Sequence, residues 1–138
     1  MKKILKSLTL ALLMLVAYQP MTLAQNTVST ESDLKIIGVK MYADWCGKCK
    51  AMDPKLSEVR PRFEGQPVLF TRFDMTNDFT TGQSRKLASL LGLSELFEQH
   101  KGRTGYMVLV NAQTSEVIKT LKHNQSEEEL EQEIAAVL

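Results

Sequence analysis

Residues 45–50 read Trp45-Cys46-Gly47-Lys48-Cys49-Lys50 and hold both cysteines of the 138-residue chain. They follow an apolar run, Ile36 to Tyr42, with the make-up of a central strand: Ile36, Ile37, Val39 and Met41, interrupted by Lys40. Behind them, Met52, Leu56, Val59 and Phe63 recur at three- and four-residue steps, the stripe of a helix lying on a sheet. A cysteine between such a strand and helix meets unpaired backbone N–H groups and about half a positive charge, both of which favour thiolate over thiol. Thiolate is the nucleophile of disulfide exchange, so the placement activates Cys46, with a pKa expected below the free value of about 8.5. Cys49, about one turn further on, is near enough to close a disulfide and expel a partner held on Cys46. The pattern is that of a dithiol–disulfide redox site. It requires an exposed leading sulfur; burial of both, or a gap too wide to bridge, would remove the chemistry.

The longer stretch Tyr42-Ala43-Asp44-Trp45-Cys46-Gly47-Lys48-Cys49-Lys50, with Met52 and Pro54 following, resembles the active-site segment of the thioredoxin superfamily. Its Tyr-Ala-Asp-Trp-Cys wording is also similar to the C-terminal domain of transmembrane thiol-disulfide interchange proteins. The likeness continues more weakly over most of residues 35–138. It implies an α/β fold of three layers, α/β/α, around a mixed sheet of about four strands. It also implies Cys46 and Cys49 as the catalytic pair and redox disulfide, acting on protein thiols and disulfides without cofactor or metal. Trp45 is expected to border the site, and the Gly47-Lys48 dipeptide to tune it, with Lys48 placing a cation beside the sulfurs.

Two positions depart from that family. A buried acid commonly stands six residues before the first cysteine; here the residue is Lys40. A charged ammonium there favours thiolate, and a deprotonated one accepts a proton; the plain alternative is a side chain that snorkels to water. The family also places a cis-proline against the cysteine pair. The only prolines here are Pro20, Pro54, Pro61 and Pro67, so Thr104-Gly105-Tyr106 aligns as the substrate-facing loop, with Gly105 in the proline slot. Glycine predicts a freer, less fixed loop.

Residues 1–24 read as a signal peptide: Lys2, Lys3 and Lys6, the apolar run Leu8 to Ala17, then Thr22-Leu23-Ala24 before Gln25. The apolar run is shorter than the ~20 residues of a spanning helix, so cleavage near Ala24, export to the periplasm and no lasting membrane insertion are expected. Cleavage removes three of the 17 basic residues and none of the 16 acids, leaving a net charge of −2. Residues 25–34 read as a flexible arm and 35–138 as one domain, expected to be monomeric. No basic cluster or aromatic-basic stripe marks a nucleic-acid partner. In an oxidising compartment a reductase needs an electron supply, and the resemblance implies a membrane reductant of the thiol-interchange type.

Export also admits a structural staple, but a two-residue spacing closes a minimal loop and constrains the unfolded chain little. Structural zinc needs four ligands, and no second cysteine pair exists. Two rivals remain: a copper-binding or metallochaperone module, using Met41, Met52, Met75 and Met107 near the thiols, and a non-catalytic binding module on the same scaffold. His100 and His123, each among polar residues, read as solvated.

Along the rest of the chain, Pro54 predicts a kink in the first helix and Pro61 its end near Arg60. Val68 to Phe73 reads as a strand, residues 74–81 as polar loop, and Ser84–Leu91 and Ser94–His100 as helices. Tyr106–Val110 and Glu116–Leu121 read as a hairpin, and Ser126 with Glu129 as the capping box of a last helix.

Overall fold

The computed structural model describes residues 33–138. The signal segment and nearly all of the arm therefore lie outside the described residues. The elements run β1 (Ile36–Tyr42), α1 (Gly47–Val59), a 3-10 turn (Arg60–Phe63), β2 (Val68–Asp74), α2 (Asp78–Leu90), α3 (Ser94–His100), β3 (Tyr106–Asn111), β4 (Val117–Lys122) and α4 (Glu127–Ala135). The sheet order is β2-β1-β3-β4, with β1 parallel to β2, antiparallel to β3, and β3 antiparallel to β4. This is the expected mixed four-stranded sheet with helices on both faces.

Strand alternation sorts the core into two layers. Ile37, Val39 and Met41 of β1, with Val108 and Val110 of β3, pack against Ala88 of α2 and Leu96 and Phe97 of α3. Phe73 meets Phe97 edge-on at 5.4 Å in the same layer. On the other face, Ile36, Met107 and Leu109 meet Met52 and Leu56 of α1 and Leu130 and Ile134 of α4. Gly38 lies on that second face. A Cβ there would come 2.8 Å from the Phe70 ring and 3.3 Å from the Met107 sulfur, so these side chains of the two neighbouring strands fill the space above the glycine. Lys40 shares this face, which aims it at α1 and away from solvent.

Helix α1 starts directly after Cys46 and runs through Pro54 to Val59. It passes into the 3-10 turn at Arg60, where Pro61 sits at a helix start and its missing N–H costs nothing. Residues 74–81 are not all loop: α2 begins at Asp78. The Asn77 side chain accepts from the Thr80 N–H, and the Thr80 hydroxyl accepts from the Asn77 N–H. This capping box nucleates a turn through Thr80, Thr81 and Gly82, whose weak helix propensity had masked it. Helix α3, the hairpin and the Ser126–Glu129 capping box form as expected, with the hairpin turn held by Asn111 Oδ1, which accepts from the Gln113 and Thr114 N–H groups.

Candidate active site

Cys46 and Cys49 are joined as a disulfide with their Cα atoms 5.2 Å apart. Cys46 is the N-cap of α1: its backbone is extended, and its sulfur accepts from the Cys49 N–H at 3.1 Å, the place a serine or aspartate oxygen commonly takes. The same N–H reaches the Cys46 carbonyl at 3.1 Å. A donor aimed at the leading sulfur, on a helix end with no acid in its first turn, favours negative charge on Cys46. The exposed leading sulfur expected from the sequence is not found: with the disulfide closed both cysteines are buried, Cys46 less completely than Cys49. Cys46 is 6% exposed and Cys49 not at all, because Ala43 and Tyr42 pack around them. The remaining access belongs to Cys46 alone. Exchange needs only a line of approach to one sulfur, so burial here ranks the two cysteines.

The 42–46 turn is tied to the loop after β2. Met75 N–H donates to the Tyr42 carbonyl, Asp44 N–H to the Thr76 hydroxyl, and the Trp45 indole N–H to the Thr76 carbonyl at 3.3 Å. The Trp45 ring is 62% exposed, so it borders the site as a tethered surface plate, with no part in the core. Thr76 N–H in turn donates to Asp74. Burial pushes the Asp74 carboxyl up, but the Thr76 and Thr80 hydrogen bonds and the Arg72 charge outweigh it and hold it below the usual value of 3.8.

Lys40 does not snorkel. Its side chain is 6% exposed and ends in an ion pair with Asp53 of α1, whose own side chain is 49% exposed. The ammonium lies 3.5 Å from the Cys49 carbonyl oxygen and 4.9 Å from the centre of the Tyr42 ring, which Arg72 also approaches. Beside it, a cavity of about 330 Å³ is lined by Lys40, Asp53, Arg60 and Arg72. Asp53 was missed in the sequence, yet it is marked there: it stands one turn after Cys49, on the face that α1 turns toward β1.

Gly105 reaches the cysteine pair. A Cβ on it would lie 3.5 Å from Cys46 Sγ and 2.6 Å from Lys48 Cβ, and its φ of +94° belongs to glycine. The loop is not loosened by the missing proline. Gly105 N–H donates to the Met41 carbonyl at 2.9 Å, a bond proline cannot make. Cys49 Sγ lies 3.6 Å from the same oxygen. Among the described residues no peptide bond is cis.

The loop continues into Tyr106, whose hydroxyl is 2.8 Å from His100 Nδ1. His100 is therefore a partly buried, paired histidine and not a solvated one. Burial, helped by Arg103, holds it below its usual value of 6.5; burial pushes Tyr106 above 10.0, against the pull of Arg103. Thr104 and His123 line a cavity beside this pair, together with Lys48 and Gly105. The four methionines divide between layers: Met41 and Met75 lie on one face of the sheet, Met52 and Met107 on the other. They pack the core and do not converge as a ligand set.

The thioredoxin family model matches residues 21–90. Thioredoxin F from the chloroplast of Oryza sativa subsp. japonica is 36% identical over 59 residues, 43% of this chain and 28% of that protein. Protein disulfide-isomerase from Datisca glomerata is 45% identical over 49 residues, 34% of this chain and 10% of that protein. The chain thus spans less than a third of the length of the curated relatives it matches. Among solved structures, the germline-specific thioredoxin Deadhead of Drosophila melanogaster superposes with a TM-score of 0.51 at 19% identity, covering 77% of this chain and 84% of that one. StoA from Bacillus subtilis gives 0.50 at 18% identity, covering 72% and 82%. At such identities the likeness is one of fold.

Proposed function

The chain belongs to the thioredoxin family, and from that premise we propose that it is an exported thiol-disulfide oxidoreductase acting on protein substrates through Cys46 and Cys49. The observation that carries this is the Cys46 sulfur at the head of α1, bonded to Cys49 and receiving its N–H. In the reducing direction, the Cys46 thiolate attacks a substrate disulfide. The Cys46–substrate bond forms, the substrate disulfide breaks, and the departing thiolate takes a proton from water. Cys49 then loses its proton and attacks Cys46. The Cys46–Cys49 bond closes and the second substrate thiol leaves, so two electrons have passed from the chain to the substrate. The reverse sequence oxidises a substrate dithiol.

Lys40, Trp45, Gly47 and Lys48 are assigned supporting roles, and Thr104, Gly105 and Tyr106 the substrate-facing side. The buried Lys40 cation beside Cys49 takes the position where the family carries an acid, with Asp53 supplying the carboxylate from α1. The chain's first 24 residues support export and periplasmic work, and a membrane thiol-disulfide interchange partner fits as the electron source.

Turnover of a protein disulfide by the wild type, Cys46→Ser and Cys49→Ser tests the assignment. Activity is expected to vanish in Cys46→Ser, while Cys49→Ser accumulates a mixed disulfide. Equal rates in all three would overturn it. The reduction potential gives the direction: near about −270 mV for a reductase, near about −120 mV for an oxidant. Mass spectrometry of the secreted chain, with a mature start at Gln25, tests export.

A further inference from the structure

Adjoining Cys46, a cavity of about 410 Å³ opens between the start of α1, the loop before β3 and the end of β4. Gly105 forms the junction: the point where its Cβ would stand is 3.5 Å from Cys46 Sγ and 2.6 Å from Lys48 Cβ, and Lys48 belongs to the cavity. A substrate whose sulfur meets Cys46 therefore has its neighbouring residues at this opening.

The lining is one-sided in charge. Lys48, Arg103 and Lys122 contribute three cations from three separate elements, and among the described residues no acid lines the space. The ion pairs of the described residues engage Lys40, Arg62, Arg85 and Lys119, leaving these three cations out. Over the whole chain 17 basic residues stand against 16 acidic ones, so the concentration is local. The His100–Tyr106 pair forms a firm wall, since the hydroxyl and ring nitrogen satisfy each other at 2.8 Å.

We propose that this cavity receives an acidic segment of the substrate next to the reacting sulfur, making the chain selective for disulfides with flanking carboxylates. The proposal rests on the redox assignment above and adds a substrate class to it. Arg103 and Lys122 are specificity residues, acting on the flank and not on the sulfur. Exposed cations attract such a segment mainly by raising encounter rates, with a gain of about tenfold or more that salt removes.

The test uses the full chain and three fluorogenic disulfide peptides identical except for Glu-Glu, Gln-Gln or Lys-Lys beside the cysteine. At low salt, kcat/KM should be about tenfold higher for the Glu peptide than for the Gln peptide, and lowest for the Lys peptide. The double variant Arg103→Gln, Lys122→Gln should shrink the Glu-to-Gln ratio toward one. A ratio near one in the wild type, or an unchanged ratio in the variant, overturns the proposal. Fluorescence anisotropy with the same peptides carrying Ser in place of Cys reads the cavity without turnover. Affinities in the order Glu, Gln, Lys support it and equal affinities overturn it. Charge-ordered binding without turnover of any peptide would sink the redox assignment alone.

Discussion

Installing the family's proline at position 105 should damage this protein. Two costs appear already for Gly105→Ala. A φ of +94° strains any residue with a Cβ, by about 1–2 kcal/mol. The added carbon would also stand 2.6 Å from Lys48 Cβ, an atom fixed to the α1 backbone that cannot swing aside; relieving such overpacking costs about 1–3 kcal/mol. The sum is about 2–5 kcal/mol. Gly105→Pro adds the loss of the N–H bond to Met41, a net of about 1 kcal/mol, and its fixed φ near −65° forces the loop to another path. For a domain of about 100 residues each kcal/mol moves Tm by about 4–8 °C, so both variants should melt at least about 8 °C below the wild type, with proline the lower. Thermal and urea unfolding of the oxidised proteins, followed by circular dichroism, measures this. A Gly105→Pro protein as stable as the wild type would refute the account of the loop.

Two further outcomes follow from buried charge. Asp53→Ala should cost more stability than Lys40→Met. The first leaves an inward-facing ammonium without its carboxylate, while the second leaves a half-exposed carboxylate that water can solvate; urea midpoints that rank the other way would refute the pairing. His100 supplies a pH dependence. Its folded value lies below the unfolded 6.5, so the unfolded chain binds the extra proton between the two, and stability present above pH 6.5 is lost as pH falls through the folded value. Denaturation across that window should show a decline that His100→Gln lacks; parallel curves would remove the assignment.

The redox stretch was legible because its signals are local. Cys46 and Cys49, the strand before them and the apolar stripe of Met52, Leu56 and Val59 lie within one stretch of chain, and the spacing alone places them on one strand–helix junction. The last helix was equally plain, since Ser126 and Glu129 bracket its first turn. Helix α2 began earlier than its apolar spacing suggested because Asn77 and Thr80 act by hydrogen bonding, a signal that hydrophobic periodicity does not register. What escaped were contacts made across elements. Lys40 and Asp53 meet only once β1 lies under α1, and His100 meets Tyr106 only after the chain turns at Gly102. The nearly complete burial of the sulfurs also depends on packing by Tyr42 and Ala43, which no spacing encodes.

The Met41 carbonyl serves two clients. It takes the Gly105 N–H, and the Cys49 sulfur stands 3.6 Å away, within reach as a thiol donor once the disulfide opens. One backbone oxygen of β1 thus anchors the glycine loop on one flank of the disulfide and faces the deeper sulfur on the other, so a shift of that single strand would be felt on both sides at once.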